Sequence, residues 1–380
     1  TTDAHLVNPW GLAFGPTSPF WVANNHSETS TLYNGSGTAA ALVVTLPPGG
    51  AVSFDPTGTV YNGSADFVVT GTGSGAAKFI FVGEGGMLAG WSPAADATNT
   101  ITVYTAADGA VYKGLAIANN GSGNFLYATD FHNGKVDVFN ATFALQTPSV
   151  TSFTFLDPTL PAGYYPFGIQ ALKTGAAGAT QIFVSYAQRQ APPSNDNVDG
   201  AGLGLVDIFD TNGQFIKRLV TTGGWLDAPW GMALAPASFG TLSNALLVGN
   251  FGDGKISGFD VTSGAYLGTI ADSAGAAFAV PGLWAIAFGN DAANQPKDTL
   301  FYAAGTNDEA NGEYGRIDLG ASPPVLGALP VVAVTAPAAG TISGMVTVTA
   351  TVTDPIAVSR VELFASGTSL AVCTASPCSF

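Results

Sequence analysis

Five times along this chain a Gly-centred opening leads into a short apolar strand, and a second strand then stops at a polar cluster. The openings are Pro9-Trp10-Gly11-Leu12-Ala13, Tyr112-Lys113-Gly114-Leu115-Ala116, Pro166-Phe167-Gly168-Ile169, Pro229-Trp230-Gly231-Met232-Ala233 and Leu283-Trp284-Ala285-Ile286-Ala287, the last with Ala in the Gly place. The matching strand ends are Ala23-Asn24-Asn25, Thr129-Asp130, Ser185-Tyr186, Gly249-Asn250 and Ala304-Gly305. A sixth, weaker copy is read at Gly50-Ala51-Val52-Ser53-Phe54 with Phe79-Ile80-Phe81-Val82-Gly83-Glu84. The period averages about 55 residues, near the range of stacked β-blades. A unit of this size cannot bury its apolar face alone, so the copies must pack on one another.

Third strands follow in several repeats, as in Lys135-Val136-Asp137-Val138-Phe139 and Gly204-Leu205-Val206-Asp207-Ile208-Phe209, and a fourth at Phe215-Ile216-Lys217-Arg218-Leu219. Helical periodicity is nearly absent, and Asn-Gly, Asp-Gly and Pro-Gly pairs punctuate the strands. The expected fold is all-β: a six-bladed β-propeller of four-stranded blades over 1–320, whose closure leaves only short edges. The residues before Trp10, or the stretch near Val325-Leu326, are expected to complete the last blade. A linker is expected over 321–330, opening on Ala321-Ser322-Pro323-Pro324. Residues 331–380 then alternate with period two, as sandwich strands do. They supply too few strands for the usual seven, so this reads as a truncated C-terminal immunoglobulin-like β-sandwich.

Charge narrows the function. Lys and Arg total 11 against 26 acidic residues, a net charge of −15. A nucleic-acid partner needs a basic stripe, and an anionic membrane surface would repel such a chain, so neither is expected. No apolar run is long enough for membrane insertion as a helix. No signal peptide opens the sequence, so a mature or trimmed start is expected. The two cysteines, Cys373 and Cys378, are close enough to pair across a turn, which suits an oxidising compartment. A secreted or cell-surface location follows as the expectation.

The blade formula, Pro-x-Gly-apolar-Ala, then a strand ending in Ala-Asp or Ala-Asn, then Gly-x-apolar-x-Val-Phe, resembles the NHL-type six-bladed propellers and, more distantly, the gluconolactonase group. Four stretches look closer to a family of uncharacterised secreted bacterial propeller proteins, often with a C-terminal sorting tail. They are Leu6-Val7-Asn8-Pro9-Trp10-Gly11, Ala128-Thr129-Asp130-Phe131-His132-Asn133-Gly134-Lys135, Val248-Gly249-Asn250-Phe251-Gly252-Asp253-Gly254 and Ala304-Gly305-Thr306-Asn307-Asp308-Glu309. The resemblance implies a fold and an export route. In the gluconolactonase group it would also imply a central calcium held by Asn or Asp at the x of Pro-x-Gly. Here those positions carry Trp10, Lys113, Phe167, Trp230 and Trp284, so that ligand set does not carry over.

The start of each first strand and the end of each second strand should surround one mouth of the ring. Candidate ligand-binding residues there are Trp10, Asn24, Asn25, His26, Phe167, Tyr186, Trp230, Asn250, Trp284 and Asp308. The aromatic members fit two roles, a platform for a sugar or packing between blades. Glu84, Asp130 and His132 are the catalytic candidates, since two carboxylates and an imidazole suit a transition metal or general acid–base work. Asn195, Asn197 and Asp199, alternating before Gly200, resemble a weak calcium loop without the bidentate Glu. Turn chemistry accounts for many of these Asn and Asp residues equally well. Two functions remain open. One is a binding or surface-assembly module that takes a small-molecule, glycan or protein ligand at the mouth and assembles through immunoglobulin-like repeats. The other is a metal-assisted hydrolase or lyase at the same mouth.

Overall fold

A computed structural model describes residues 2–47, 52–174, 178–319, 325–326, 331–337, 347–353, 361–365, 368–373 and 377–379. Six antiparallel sheets stand around one axis, and the strands are as follows. Blade 1 holds β1 (Pro9–Ala13), β2 (Phe20–Asn24), β3 (Thr29–Tyr33) and β4 (Ala39–Thr45). Blade 2 holds β5 (Pro56–Tyr61), β8 (Phe79–Gly83), β9 (Met87–Trp91) and β10 (Ile101–Thr105), with an inserted hairpin of β6 (Val68–Thr70) and β7 (Ser74–Ala76). Blade 3 holds β11 (Tyr112–Asn119), β12 (Asn124–Asp130) and β13 (Lys135–Phe139). Blade 4 is built from β14 (Tyr164–Lys173), β15 (Thr180–Gln188), β16 (Gly204–Phe209) and β17 (Phe215–Val220). Blade 5 is built from β18 (Pro229–Leu234), β19 (Leu246–Asn250), β20 (Ile256–Phe259) and β21 (Tyr266–Ile270). Blade 6 holds β22 (Leu283–Phe288), β23 (Leu300–Ala304) and β24 (Glu313–Ile317). The inner strands β1, β5, β11, β14, β18 and β22 each touch the next, and β22 returns to β1, so the ring is closed.

Three details differ from the expectation. Among the described residues, blades 3 and 6 have three strands, not four. The short strand β25 (Val325–Leu326) pairs with β21 and widens blade 5 instead of completing blade 6. The sixth opening is also not Gly50–Phe54. Phe54 and Asp55 lie before the strand, where their N–H groups donate to the Glu28 carboxylate. The inner strand begins at Pro56-Thr57-Gly58, a Pro-x-Gly obscured because Thr57 stands where four other copies carry an aromatic residue and Thr59 where the others carry an aliphatic one or Met.

The repeated glycine has a steric cause. A Cβ on Gly11 would sit 2.6 Å from the Thr57 carbonyl oxygen of the next blade. One on Gly58 would strike Leu115 N, one on Gly168 Trp230 O, and one on Gly231 Trp284 O, while on Gly114 it would lie 3.0 Å from Phe167 O. Each glycine therefore lets one inner strand approach the backbone of the next. Gly168→Ala is expected to cost about 2–3 kcal/mol, because the obstacle is backbone and cannot rotate away. Ala285→Gly should cost under about 1 kcal/mol. Urea unfolding of both variants checks the contrast.

No shared strand closes blade 6 on blade 1 among the described residues; side chains and isolated backbone hydrogen bonds do. Asn8, buried with φ 46°, accepts from Trp284 Nε1 at 3.0 Å, and its N–H donates to Asn311 O at 3.1 Å. Asn290 Nδ2 donates to Gly15 O and Ser18 O, and Arg316 donates to Gly35 O. Tyr33 stacks on Tyr314 with centroids 5.2 Å apart. Asn tolerates the left-handed backbone that Asn8 needs to turn into β1.

Each gap between blades is filled from both sides. Ile182, Val184, Tyr186 and Leu205 of blade 4 meet Tyr127, Val136 and Val138 of blade 3, for example. One polar cluster interrupts this core. Arg218 on β17 binds both Asp157 and Asp207, whose side chains are wholly buried, and among the described residues Asp207 Oδ2 has no partner. Burial first, and the Asp157 charge with it, push the Asp207 carboxyl up to about 7 against the opposing Arg218. An acid whose pKa is higher folded than unfolded binds more protons when folded, so its contribution to stability falls as pH rises from about 4 to 7. Asp207→Asn removes that titration. Its melting temperature relative to the parent is expected to climb over this range and level off above pH 7; a pH-independent difference would contradict the assignment.

Beyond the ring, β26 (Val331–Ala336) pairs with β27 (Thr349–Thr353), and β27 with β30 (Cys378–Ser379). A second pair joins β28 (Val361–Ala365) to β29 (Thr368–Cys373). The Cys373–Cys378 disulfide links β29 to β30, and so one sheet to the other. Together these strands form the immunoglobulin-like part of an all-β chain. Apart from Val325–Leu326, the expected linker at 321–330 lies outside the described residues.

Candidate functional site

Strand register builds the mouth in two tiers. Pro9 faces Asn24, Tyr112 faces Asp130, Pro166 faces Tyr186 and Pro229 faces Asn250, so these strand ends occupy equivalent positions. The residue after each second strand bonds back to the residue before the inner strand. Asn25 N donates to Asn8 O, Glu84 N to Asp55 O, Phe131 N to Val111 O, Phe251 N to Ala228 O and Gly305 N to Gly282 O, all within 2.8–3.0 Å. The upper tier is thus Asn25, Glu84, Phe131, Ala187, Phe251 and Gly305. Beneath it lie the x residues of the openings: Trp10, Thr57, Lys113, Phe167, Trp230 and Trp284.

The lower tier plugs the axis. Trp10 and Trp284 stack with centroids 3.3 Å apart, and Trp230 meets both edge-on at 5.9 Å. Phe251 stacks on Trp284 at 4.1 Å, and Phe131 lies 5.1 Å from Phe167. Trp230 Nε1 donates to Lys113 O at 2.9 Å. The Lys113 ammonium enters this aromatic cluster, 5.2 Å from the Trp10 ring and 5.8 Å from Phe131. It is paired there with Glu84, which also accepts from Asn25 Nδ2 at 3.0 Å. Burial raises the Glu84 pKa, but the Lys113 charge and these hydrogen bonds outweigh it and hold the carboxyl below its ordinary range.

Above the plug is a pocket of about 420 Å³, floored by Trp10, Phe251 and Trp284 and walled by His26, Glu84, Lys113, Gln190, Asp196, Asn197, Asp199 and Glu309. His26 Nδ1 lies 3.1 Å from Glu309 O, and its Nε2 lies 3.5 Å from Asn8 Nδ2. The amide can only donate, so the neutral ring carries its proton on Nδ1. Burial, and then the charge of Glu84, raise the Glu309 pKa. Burial and Asp227 do the same to Asp199.

Strand alternation separates the candidate residues. Asn24, Asp130, Tyr186 and Asn250 stand one residue before the upper tier, and their contacts lie within or between the blades instead of at the axis. Asn24 Nδ2 donates to Thr29 and Thr31 hydroxyls, and Asn250 Nδ2 to Trp225 O and Asp253. Tyr186 is buried in the core between blades 3 and 4. Asp130, fully buried, accepts from the N–H groups of Val111, His132 and Asn133 and from Asn133 Nδ2. It caps a turn. His132 is exposed and bonds Asn195 Oδ1 at 2.8 Å through Nδ1. Glu84 therefore reaches the pocket without Asp130 or His132, which do not line it.

Asn25 and His26 are at the mouth; Phe167 and Trp230 are spent in the plug, which is packing on the axis rather than between blades. Asp308 is exposed on a left-handed turn (φ 50°) whose next residue, Glu309, lines the pocket. In the calcium-like loop Asn195 faces His132, and Asn197 Nδ2 donates to Asp199 at 2.6 Å. These side chains bond outward and to each other; the loop's contribution to the mouth is to bring Asp196, Asn197 and Asp199 over it. Among the described residues no three His, Cys, Asp or Glu side chains are grouped to hold a metal ion. Sequence reasoning missed Phe251 and Lys113. The signal was the recurrence of an aromatic directly after the strand end, in Asp130-Phe131 and Asn250-Phe251.

Comparison with known proteins places the chain among relatives. It is 31% identical to Uncharacterized protein R648 of Acanthamoeba polyphaga mimivirus over 323 residues, 83% of this chain and 76% of that protein. The chain belongs to the R648 family. A model described as bacterial Ig domain matches residues 330–380. Among solved structures, virginiamycin B lyase from Staphylococcus aureus is similar at 13% identity, covering 82% of this chain and 95% of that one, with a TM-score of 0.43. The Dos1 propeller covers 92% of this chain and 80% of its own at 10% identity and a TM-score of 0.42.

The Lys113–Glu84 pair gives a direct test of the mouth's electrostatics. Lys113→Met strands a carboxylate against the aromatic plug and is expected to destabilise the fold by about 3 kcal/mol. Adding Glu84→Gln should recover more than about 1 kcal/mol of that loss. A double variant no more stable than Lys113→Met would mean the lysine acts through packing alone.

Proposed function

We propose that this chain is a binding propeller, exported to an extracellular or cell-surface site, that holds a small ligand or one residue of a glycan or protein in the mouth pocket. The immunoglobulin-like part serves as its tether or assembly unit. The observation that carries this reading is the pocket above the aromatic plug, which offers ring faces below and polar groups around the wall. That combination of an apolar floor with a few convergent polar groups is how ligand sites are generally built. The metal-assisted hydrolase or lyase is less well supported. Glu84 is engaged by Lys113, Asp130 by a turn and His132 by Asn195.

The stretches that resemble secreted propeller proteins and the disulfide between Cys373 and Cys378 support export, since such bonds persist in oxidising compartments. Recovery of the native protein with both thiols free would count against it. For the mouth, a ligand screen read by tryptophan fluorescence and melting temperature is the test. Ligands that raise the melting temperature should lose their effect in Phe251→Ala, whereas Trp225→Ala, outside the pocket, should keep it. Ligands that bind the Phe251→Ala protein undiminished would move the site elsewhere.

A further inference from the structure

The mouth pocket is unevenly charged. Lys113 is committed to Glu84. Glu309, Asp196 and Asp199 share the same wall, and none has a Lys or Arg partner among the described ion pairs. Glu309 is half-buried, where a carboxylate gains more from a counter-ion than it would in open water; Asp196 and Asp199 are exposed beside it. The ring faces below attract positive charge as well. A second observation is independent of these acids. Trp10, only 2% exposed, lines the pocket, and among the described residues its indole N–H has no acceptor, unlike those of Trp230 and Trp284. A buried donor without a partner costs about 1–3 kcal/mol, so an acceptor supplied from the pocket would be favoured.

We infer that the pocket takes an organic cation, a protonated amine on a ring-bearing body, with an oxygen acceptor for the Trp10 N–H. The ammonium sits against Glu309, Asp196 and Asp199, and the ring lies against Phe251, which itself stacks on Trp284. This rests on the binding reading above and narrows it. Carboxylates bond an ammonium through charge-assisted hydrogen bonds, which a neutral hydroxyl in its place cannot match. A free metal cation would leave the aromatic floor and the indole N–H unused.

Isothermal titration of the full chain with tyramine, phenethylamine and tyrosol tests this, because the three differ only in the ammonium or the phenolic oxygen. Tyramine is expected to bind at least about tenfold more tightly than tyrosol, as one lost charge-assisted bond implies. Phenethylamine, which lacks the oxygen, should fall between them. Glu309→Gln should weaken tyramine about tenfold and leave tyrosol unchanged, with Asp199→Asn as the second variant if the first is unstable. Equal binding of tyramine and tyrosol, both lost in Phe251→Ala, would overturn the cation inference and leave the mouth-binding reading intact. No binding of either amine at millimolar concentration would also overturn it, while ligands found by the screen would still report on the mouth. Tyramine binding that survives Phe251→Ala would remove both.

Discussion

The approach of neighbouring inner strands through a side chain's worth of missing volume governs this molecule. Gly11, Gly58, Gly114, Gly168 and Gly231 each face the backbone of the following blade. With a Cβ at these positions the strands would have to move outward and the axis would widen. Because they do not, the x residues beside the glycines converge on a narrow centre, where four aromatic rings and a lysine stem fill the space. A packed axis is a floor rather than a channel, so the pocket is confined to one end of the ring. On the other side of the plug lies a small cavity of about 30 Å³ beside Gly11, Gly58 and Gly231.

Charge is sparse in this chain, which makes its placement inside the ring informative. Lys113 carries its ammonium into the plug, where ring faces and Glu84 compensate it together. Arg218 does comparable work between blades 3 and 4, with two carboxylates for one guanidinium. Buried ion pairs of this kind repay their desolvation only when geometry and hydrogen bonding are good. Both cations anchor to strands, Lys113 on β11 and Arg218 on β17, so the geometry is held by the blades themselves.

The ring was legible because its signal is redundant: a glycine, an apolar strand and a polar stop recur at near-constant spacing. Blade 2 escaped because Thr57 and Thr59 disguise its opening, while Gly50 and Phe54 imitate one. The mouth was legible only to within one residue. Polar strand ends such as Asn24, Asp130 and Asn250 attract notice in a sequence, yet strand alternation turns them into the blades and delivers the next residue to the axis. Glu84 and Asn25 stand out because they are polar themselves; Phe251, an apolar residue beside a polar strand end, does not. The pairing of Lys113 with Glu84 joins blades 2 and 3 across 29 positions, and no local pattern encodes such a distance.

The side-chain seam between blades 6 and 1 has a consequence for how the chain reaches this form. Its hydrogen bonds join residues 258 (Ser36 to Asn294) to 303 (Asn8 to Asn311) positions apart, whereas most contacts elsewhere lie within a blade or between consecutive ones. Contacts across such distances must offset the loss of chain freedom before they reward it. During synthesis blade 1 emerges first and waits for its neighbour until nearly the whole ring has been made. Through that interval Trp10 and Phe20 have no Trp284 or Phe301 to meet. The nascent molecule is an open arc with two sticky ends, and Asn8 is the latch that turns the arc into a circle.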